Sequence, residues 1–498
     1  MSAASLRLHP SARTLGVAAI LLLLGGCAAF SSDGGFSSVE AVATDRMAKK
    51  AKWVKSGEDA DSVQATVKAL LAQPLSADDA MQVALLNNRG LQAAYAELGI
   101  AEADLVQAGR LRNPGFTFSR TAGGGEKTIE RAWIIDLIGW ITTPIATQIE
   151  GRRFEQAKLN AASEMLGVAA ATREAYFEAV AAQQSIEYLK QVKISAEAGA
   201  DLAQRMVRAG NWSRLDQMRE QVFYADATAQ LARAQRKALA EREKLTRLMG
   251  LWGADIEFKL PERLPDLPPA PMEIQDLESF TLTQRLDLQA AKRETEGLAK
   301  SLGLTKATRF INVLEVGYLN GKRSTEPRET GYQISIEVPI FDWGSARVAK
   351  AEAIYMQAVN RYAEMAVNAR SEARESYTGY RTAYDLARHY RDEIVPLRKK
   401  ISDENLLRYN GMLISVFELI ADSREQVMAV NGYIDALKEF WLADTGLVRA
   451  LGGKLPATAV SMTPMMDMKG PAIEMKAPNP AKENPAPASH EQHQMKGQ

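Results

Sequence analysis

Few residues in this chain have the types and spacing that chemistry needs, and most of those lie near its two ends. After Gly453 the sequence carries Met462, Met465, Met466, Met468, Met475 and Met495, six of the chain's 18 methionines, together with His490 and His493, two of its four histidines. Thioether and imidazole donors suit Cu(I) and, less strongly, other soft ions. The segment is therefore a candidate site for transient Cu(I), with copper or a related metal as the substrate. In between, the usual catalytic constellations are missing. The sequence contains no glycine loop followed by Lys-Ser/Thr and no His-Glu-x-x-His zinc pattern. Only one cysteine and few histidines exist to build a nucleophile-base pair. Paired carboxylates are common, but on charged helices they read as solvated faces. The expectation is a protein that is not an enzyme and has no resident cofactor.

The single cysteine, Cys27, ends a distinctive leader. Arg7 and Arg13 precede an apolar-and-glycine run from Leu15 to Gly26. That run is shorter than the roughly 20 residues a spanning helix requires and fits a secretory signal. Leu24-Gly25-Gly26-Cys27 resembles the lipobox of bacterial lipoproteins, which implies cleavage before Cys27 and a covalent lipid on its thiol. Residues 1–26 then read as the signal peptide and 27–74 as an acylated linker. Ala28 follows the cysteine rather than the Asp that often retains lipoproteins at the inner membrane, which points to the outer membrane. Lys+Arg and Asp+Glu both number 61, so there is no basic excess to draw in a nucleic acid.

The elements that must position these groups come from a duplication. Leu91-Gln92-Ala93-Ala94 recurs as Leu288-Gln289-Ala290-Ala291, and Leu245 to Gly250 recurs as Leu447 to Gly452. Gly210, Ser213 and Asp216 have a looser echo in Gly411, Ser415 and Glu418; the Leu91, Leu245 and Gly210 echoes fall at offsets of 197, 202 and 201. Repeats of this kind set the architecture. The units span residues 75–260 and 272–453, followed by a Pro/Met/His-rich tail over 454–498. Within the first, Ser76-Ala77-Asp78-Asp79 fits a capping box opening an amphipathic helix to about Leu111.

Residues 145–260 contain no proline and are rich in Ala, Glu, Gln, Arg and Leu, which predicts long helix. Leu215, Met218, Val222, Ala225, Ala229 and Ala232 form a seam of period 3.5, as in a coiled coil. About 60 helical residues would reach roughly 90 Å, too long for an ordinary core. The second unit repeats the pattern from about Arg347 to Leu451, with Pro396 expected to kink or break it.

Strands are expected at Gly115 to Thr121, Ile129 to Trp140, Arg309 to Asn320 and Tyr332 to Ile340, the last alternating apolar and polar residues. Four strands cannot close a barrel, for which about eight are needed, so several chains would have to contribute. The fold class is mainly α with a small β part.

Val338-Pro339-Ile340-Phe341-Asp342-Trp343-Gly344-Ser345 with Arg347 resembles the strand-to-helix signature of TolC-type outer-membrane efflux proteins. Tyr409-Asn410-Gly411 with Glu418-Leu419 and Asp422 is similar to their inter-helix tip, as is Arg205 to Asp216 around Gly210. The resemblance covers about Leu75 to Gly453. It implies a homotrimer with a periplasmic α-helical barrel and a shared twelve-stranded β-barrel in outer-membrane lipid. It also implies a periplasmic adaptor and an inner-membrane pump as partners. Asp216, Glu418, Asp422 and Arg408 then become candidates for a periplasmic gate, Glu418 being displaced by one residue from Asp216. Gly210 and Gly411 serve the tip turns. One departure concerns Asp136-Leu137-Ile138-Gly139-Trp140, which stands where the family often has a Pro-apolar-Phe turn. A drug-efflux or type I secretion duct would share this architecture. A periplasmic coiled-coil scaffold is the alternative from another class.

Overall fold

The computed structural model describes residues 29–310 and 313–456. Two short helices, α1 (Ser37–Met47) and α2 (Gly57–Leu71), precede the first repeat. That repeat runs α3 (Ala77–Asn87), α4 (Arg89–Ala108), β1 (Gly115–Gly123), β2 (Glu126–Asp136), α5 (Leu137–Arg208) and α6 (Arg214–Met249). The second runs α7 (Leu277–Gln284), α8 (Leu286–Ala307), β3 (Leu314–Arg323), β4 (Glu329–Ile336), α9 (Ser345–His389), α10 (Val395–Asn410) and α11 (Val416–Ala450). Ser76 caps α3 through the expected box, accepting from the Asp79 amide at 3.0 Å. The amphipathic stretch is two helices rather than one, because Asn88 adopts extended backbone between them and caps α4.

The 72 residues of α5 make a rod of roughly 110 Å. Its counterpart in the second repeat is interrupted. Pro396 cannot donate to the carbonyl one turn back and its ring crowds that turn, and the chain relieves this with a π turn at Tyr390–Ile394 before α10 begins. The expected kink is thus a widened turn just ahead of the proline.

The four strands form one antiparallel sheet in the order β1-β2-β3-β4, so the two hairpins pair through β2 and β3. Several strand ends differ from expectation: the hairpin ends extend by two or three residues, and β3 starts at Leu314 rather than Arg309, which lies in the turn after α8. β2 stops at Asp136, whose side chain accepts from the Gly139 amide at 2.9 Å and starts α5 directly, placing Leu137 to Trp140 in the helix. β4 stops at Ile336, just before the turn that contains Pro339, which has no amide to offer a ladder.

The main core lies where the repeats meet. Tyr380, Tyr384, Phe440, Phe177, Leu245 and Met249 are fully enclosed there, each buried ring or aliphatic chain worth about 1.5–3 kcal/mol. The proline-rich connector between repeats is pinned across this core. The Tyr384 hydroxyl donates to Pro269 O at 2.9 Å, Trp441 Nε1 donates to Pro265 O at 3.0 Å, and the Met272 amide donates to the Tyr380 hydroxyl at 2.9 Å. Each long hairpin ends on a glycine with positive φ. Gly250 lies so near Asn87 O that a Cβ would sit 2.7 Å away, and Gly452 meets Gln284 O in the same manner. A side chain at either position would push the hairpin off its own repeat.

Before the first repeat, residues 29–56 with α1 form a strap over a second core of Phe36, Val39, Ala43, Leu85, Tyr95 and Met165. Ser31 donates its amide to buried Glu102, Arg46 donates to Gly452 O, and Lys454 pairs with Asp45 at 2.8 Å. The strap thereby ties the start of the described chain to its end.

Candidate functional site: tip, seams and strand wall

At the far end of each hairpin the chain turns between two long helices. In the first repeat, Gly210 takes φ +77° just past α5, and the Asn211 amide returns to Met206 O at 2.9 Å. Ser213 then caps α6 by accepting from the Asp216 amide at 3.1 Å, and Asp216 also pairs with Arg219 at 2.9 Å. In the second repeat the corresponding left-handed residue is Met412, at φ +59°, while Gly411 ends α10 with an ordinary negative φ. Ser415 caps α11 and accepts from the Glu418 amide at 3.2 Å. Gly210 and Met412, Ser213 and Ser415, and Asp216 and Glu418 all differ by 202 residues. Asp216 and Glu418 therefore occupy identical capping positions, and the one-residue displacement expected from Gly411 disappears. Arg408 is exposed in the last turn of α10. Asp422 lies one turn beyond Glu418, with one carboxylate oxygen enclosed and without a hydrogen-bond partner.

The two tips meet through residues that the sequence reading did not single out. Trp212 stacks on Phe417 with centroids 3.5 Å apart and planes 9° from parallel. Further along, Arg424 donates to buried Glu220 and lies 3.8 Å over the Phe223 ring. Glu220 is the 202-residue counterpart of Asp422, so the same arithmetic would have found it. A third inter-repeat pair, Arg173 with Asp444 at 2.9 Å, sits deeper, and burial raises the Asp444 carboxyl above its ordinary pKa.

The expected seam on α6 does not pack within the chain. Leu215, Met218 and Val222 are 56–60% exposed, and Ala225, Ala229 and Ala232 are exposed too. The stripe that packs on α5 consists of Tyr224, Ala227, Leu231, Ala234 and Ala238, against Ile186, Leu189, Val192 and Ala196. It is shifted by two residues, about 200° around the helix. The α6 helix thus carries two apolar seams on opposite faces, and a single chain uses one. The 202-residue counterparts of the unused seam on α11 are Phe417, Ile420, Arg424 and Val427. Those do pack, on Trp212, Gly199, Glu220 and the Leu189 cluster of the first repeat.

The sheet has two unlike faces. Phe116, Trp133, Tyr318 and Tyr332 are mutually paired across all four strands, and helix-ward of this row come Ile135, Val316, Ile334, Leu314 and Ile336. The other face carries Gly115, Thr117, Ser119, Ala132, Gly317 and Gln333. Among the described residues no helix is long and apolar enough to cross a membrane, so a wall in lipid would fall to the strands. The expected lipid site Cys27 and the donors Met462, Met465, Met466, Met468, Met475, His490, His493 and Met495 lie outside the described residues. Within the described residues no cluster of His, Cys, Asp and Glu could hold a metal ion.

Comparison with known proteins agrees with this geometry. Residues 80–251 match the family model described as outer membrane efflux protein. The chain is 24% identical over 411 residues to the cobalt-zinc-cadmium resistance protein CzcC of Cupriavidus metallidurans, covering 76% of this chain and 91% of the relative. It shares its fold with a membrane protein from Pseudomonas aeruginosa, at a TM-score of 0.65 and 19% identity over 78% of this chain and 92% of the other. A second structural match is the outer membrane protein VceC of Vibrio cholerae, at a TM-score of 0.63 and 17% identity over 76% and 96%. Long helical hairpins, a four-stranded wall segment and these matches make the protein a channel component of an outer-membrane efflux system. The first repeat is thus the part of the chain that matches the outer membrane efflux protein family model, and the described chain shares the fold of these solved membrane proteins.

Proposed function

We propose that three copies of this chain close into a passive metal-export duct, a twelve-stranded barrel in the outer membrane continued by a helical tunnel. The unused seam on α6 carries this reading. Its counterpart on α11 already packs against the first repeat of the same chain, so the bare seam fits the second repeat of a neighbour. Such a head-to-tail contact, repeated, closes a ring. The sheet agrees: β1 and β4 have open edges, and a sheet in lipid must have none.

The cargo is a metal ion, in keeping with the CzcC likeness and with the tail methionines and histidines, which favour copper. An inner-membrane pump supplies the energy through a periplasmic adaptor, and Cys27 bears the lipid. The strap supports that anchor. Ser31, four residues on, is bonded to Glu102 in the strand-ward half of α4. Four residues of chain span at most about 14 Å, so the bonded Ser31 limits how far an anchor at Cys27 could lie from that end of α4. Asp216, Glu418, Asp422 and Arg408 surround the tip opening and gate it.

Cells lacking the gene should lose tolerance to cobalt, zinc, cadmium or copper while keeping their drug tolerance, and purified protein should be a trimer that conducts in planar bilayers. Monomeric, non-conducting protein would overturn the duct, and lost drug tolerance with intact metal tolerance would overturn the cargo.

A further inference from the structure

Loop-ward of the aromatic row, the face bearing Trp133 changes character abruptly. The next row is Phe118, Arg131, Asn320 and Thr330, then Arg120, Ile129 and Lys322, then Ala122 and Lys127. Ile129 is therefore the centre of a cross. Arg120 and Lys322 flank it on the neighbouring strands, about 4.8 Å away, and Arg131 and Lys127 lie along its own strand at about 7 Å. No acidic residue shares this face in these rows. The carboxylates at the same level, Glu126, Glu130 and Glu329, alternate onto the opposite face, as does Arg323, which pairs with Glu326. None of the four cations has an ion-pair partner among the described residues. Four like charges this close repel unless something anionic joins them.

The surroundings select the anion. On the helix side, the same face is a continuous apolar band, bounded by Phe116, Trp133, Tyr318 and Tyr332. Aromatic rows of this kind sit at membrane-water interfaces. A ligand spanning both regions has a hydrocarbon body and a phosphate head, and arginine forks bind phosphate oxygens in pairs. The hairpin turns lie opposite the helices, which puts the cross at the outer leaflet.

We propose that Arg120, Lys127, Arg131 and Lys322 form a binding site for the phosphate groups of outer-leaflet lipid, one site per copy around the barrel. This rests on the barrel reading above. The test uses the full-length trimer and the variant R120Q/K127Q/R131Q/K322Q, with E130Q/E329Q on the opposite face as the control. Binding of lipopolysaccharide, of phosphatidylethanolamine and of inorganic phosphate is measured by native mass spectrometry, alongside conductance in phosphatidylethanolamine bilayers. Lipopolysaccharide should bind wild type and control alike and the quadruple variant at least tenfold more weakly, with R131Q in between. Inorganic phosphate at equal concentration should neither bind measurably nor compete. Equal lipopolysaccharide binding by a conducting quadruple variant overturns the site. So does inorganic phosphate that binds as tightly as the lipid. Wild-type protein that fails to conduct defeats the barrel reading itself.

Discussion

Arg424 of the second repeat reaches across the tip to buried Glu220 of the first, and covers the Phe223 ring as it does so. The pair fastens two helices that belong to different repeats and share no local connection. Arg424→Ala leaves Glu220 enclosed and unpaired, at a cost toward the lower end of about 3–5 kcal/mol. Replacing both as Glu220→Leu with Arg424→Met should recover most of that. Urea unfolding of the single and double variants gives the coupling, and additive effects would show the contact to be idle. Single-channel conductance of Arg424→Ala should rise as the tip loosens.

Gly210 and Met412 occupy the same place in the two tips with the same left-handed backbone, yet only one is glycine. Substitutions should have opposite signs. Gly210→Ala has open space for its methyl group and should lose about 1 kcal/mol from the dihedral alone, whereas Met412→Gly should gain a similar amount. Hydrogen exchange at the first turns of α6 and α11 reads each change locally.

Val222 and Ala227 lie on opposite seams of α6, the first exposed and the second buried against α5. A glutamate at position 222 should leave the monomer folded and abolish the trimer. At position 227 the same change should lower the unfolding temperature of the monomer itself. Sedimentation with circular dichroism separates the two, and a trimer that survives Val222→Glu refutes the ring contact.

Trp133 should be quenched by brominated lipid in reconstituted protein, and Trp212 should not. Single-tryptophan variants make the comparison clean, since the chain has seven. Quenching at Trp212 would mean that the tip, not the sheet, meets the bilayer.

Acid should loosen the strap. Lys52 and Ser56 hydrogen bonds hold the Asp59 carboxyl down at about 2, and the Ser37 amide keeps Asp33 lower still. Carboxylates depressed in the folded state stabilise it fully above their ordinary value near 4, and that contribution fades as pH falls through the folded pKa. Proteolysis within residues 29–56 should therefore accelerate between about pH 4 and 2 ahead of cleavage in α5. Asp59→Asn should remove part of that dependence.

Much of this was legible in the residues themselves. The duplication, the long helices and the four strands follow from recurring words, proline-free stretches and alternation. Strand ends were less so, because Asp136 acts as a helix cap and Pro339 ends a ladder, and neither role shows in a hydrophobic pattern. Glycine spacing places the second tip one position early, because Gly411 resembles the residue that needs a left-handed backbone, whereas Met412 is that residue. The seam was visible, but not its partner: α6 has two stripes of equal period, and periodicity alone does not say which is used. Glu220 is one carboxylate among many helix charges and has no local signature until Arg424 is placed beside it.

Finally, the repeats are mechanically unequal. One leg of the first hairpin is an unbroken 72-residue strut, while the matching leg of the second carries a loosened knuckle at Tyr390–Ile394. Force applied at the far end bends the jointed limb before the stiff one. Any dilation of the mouth should therefore begin in the second repeat, with the first acting as the fixed jamb against which it swings.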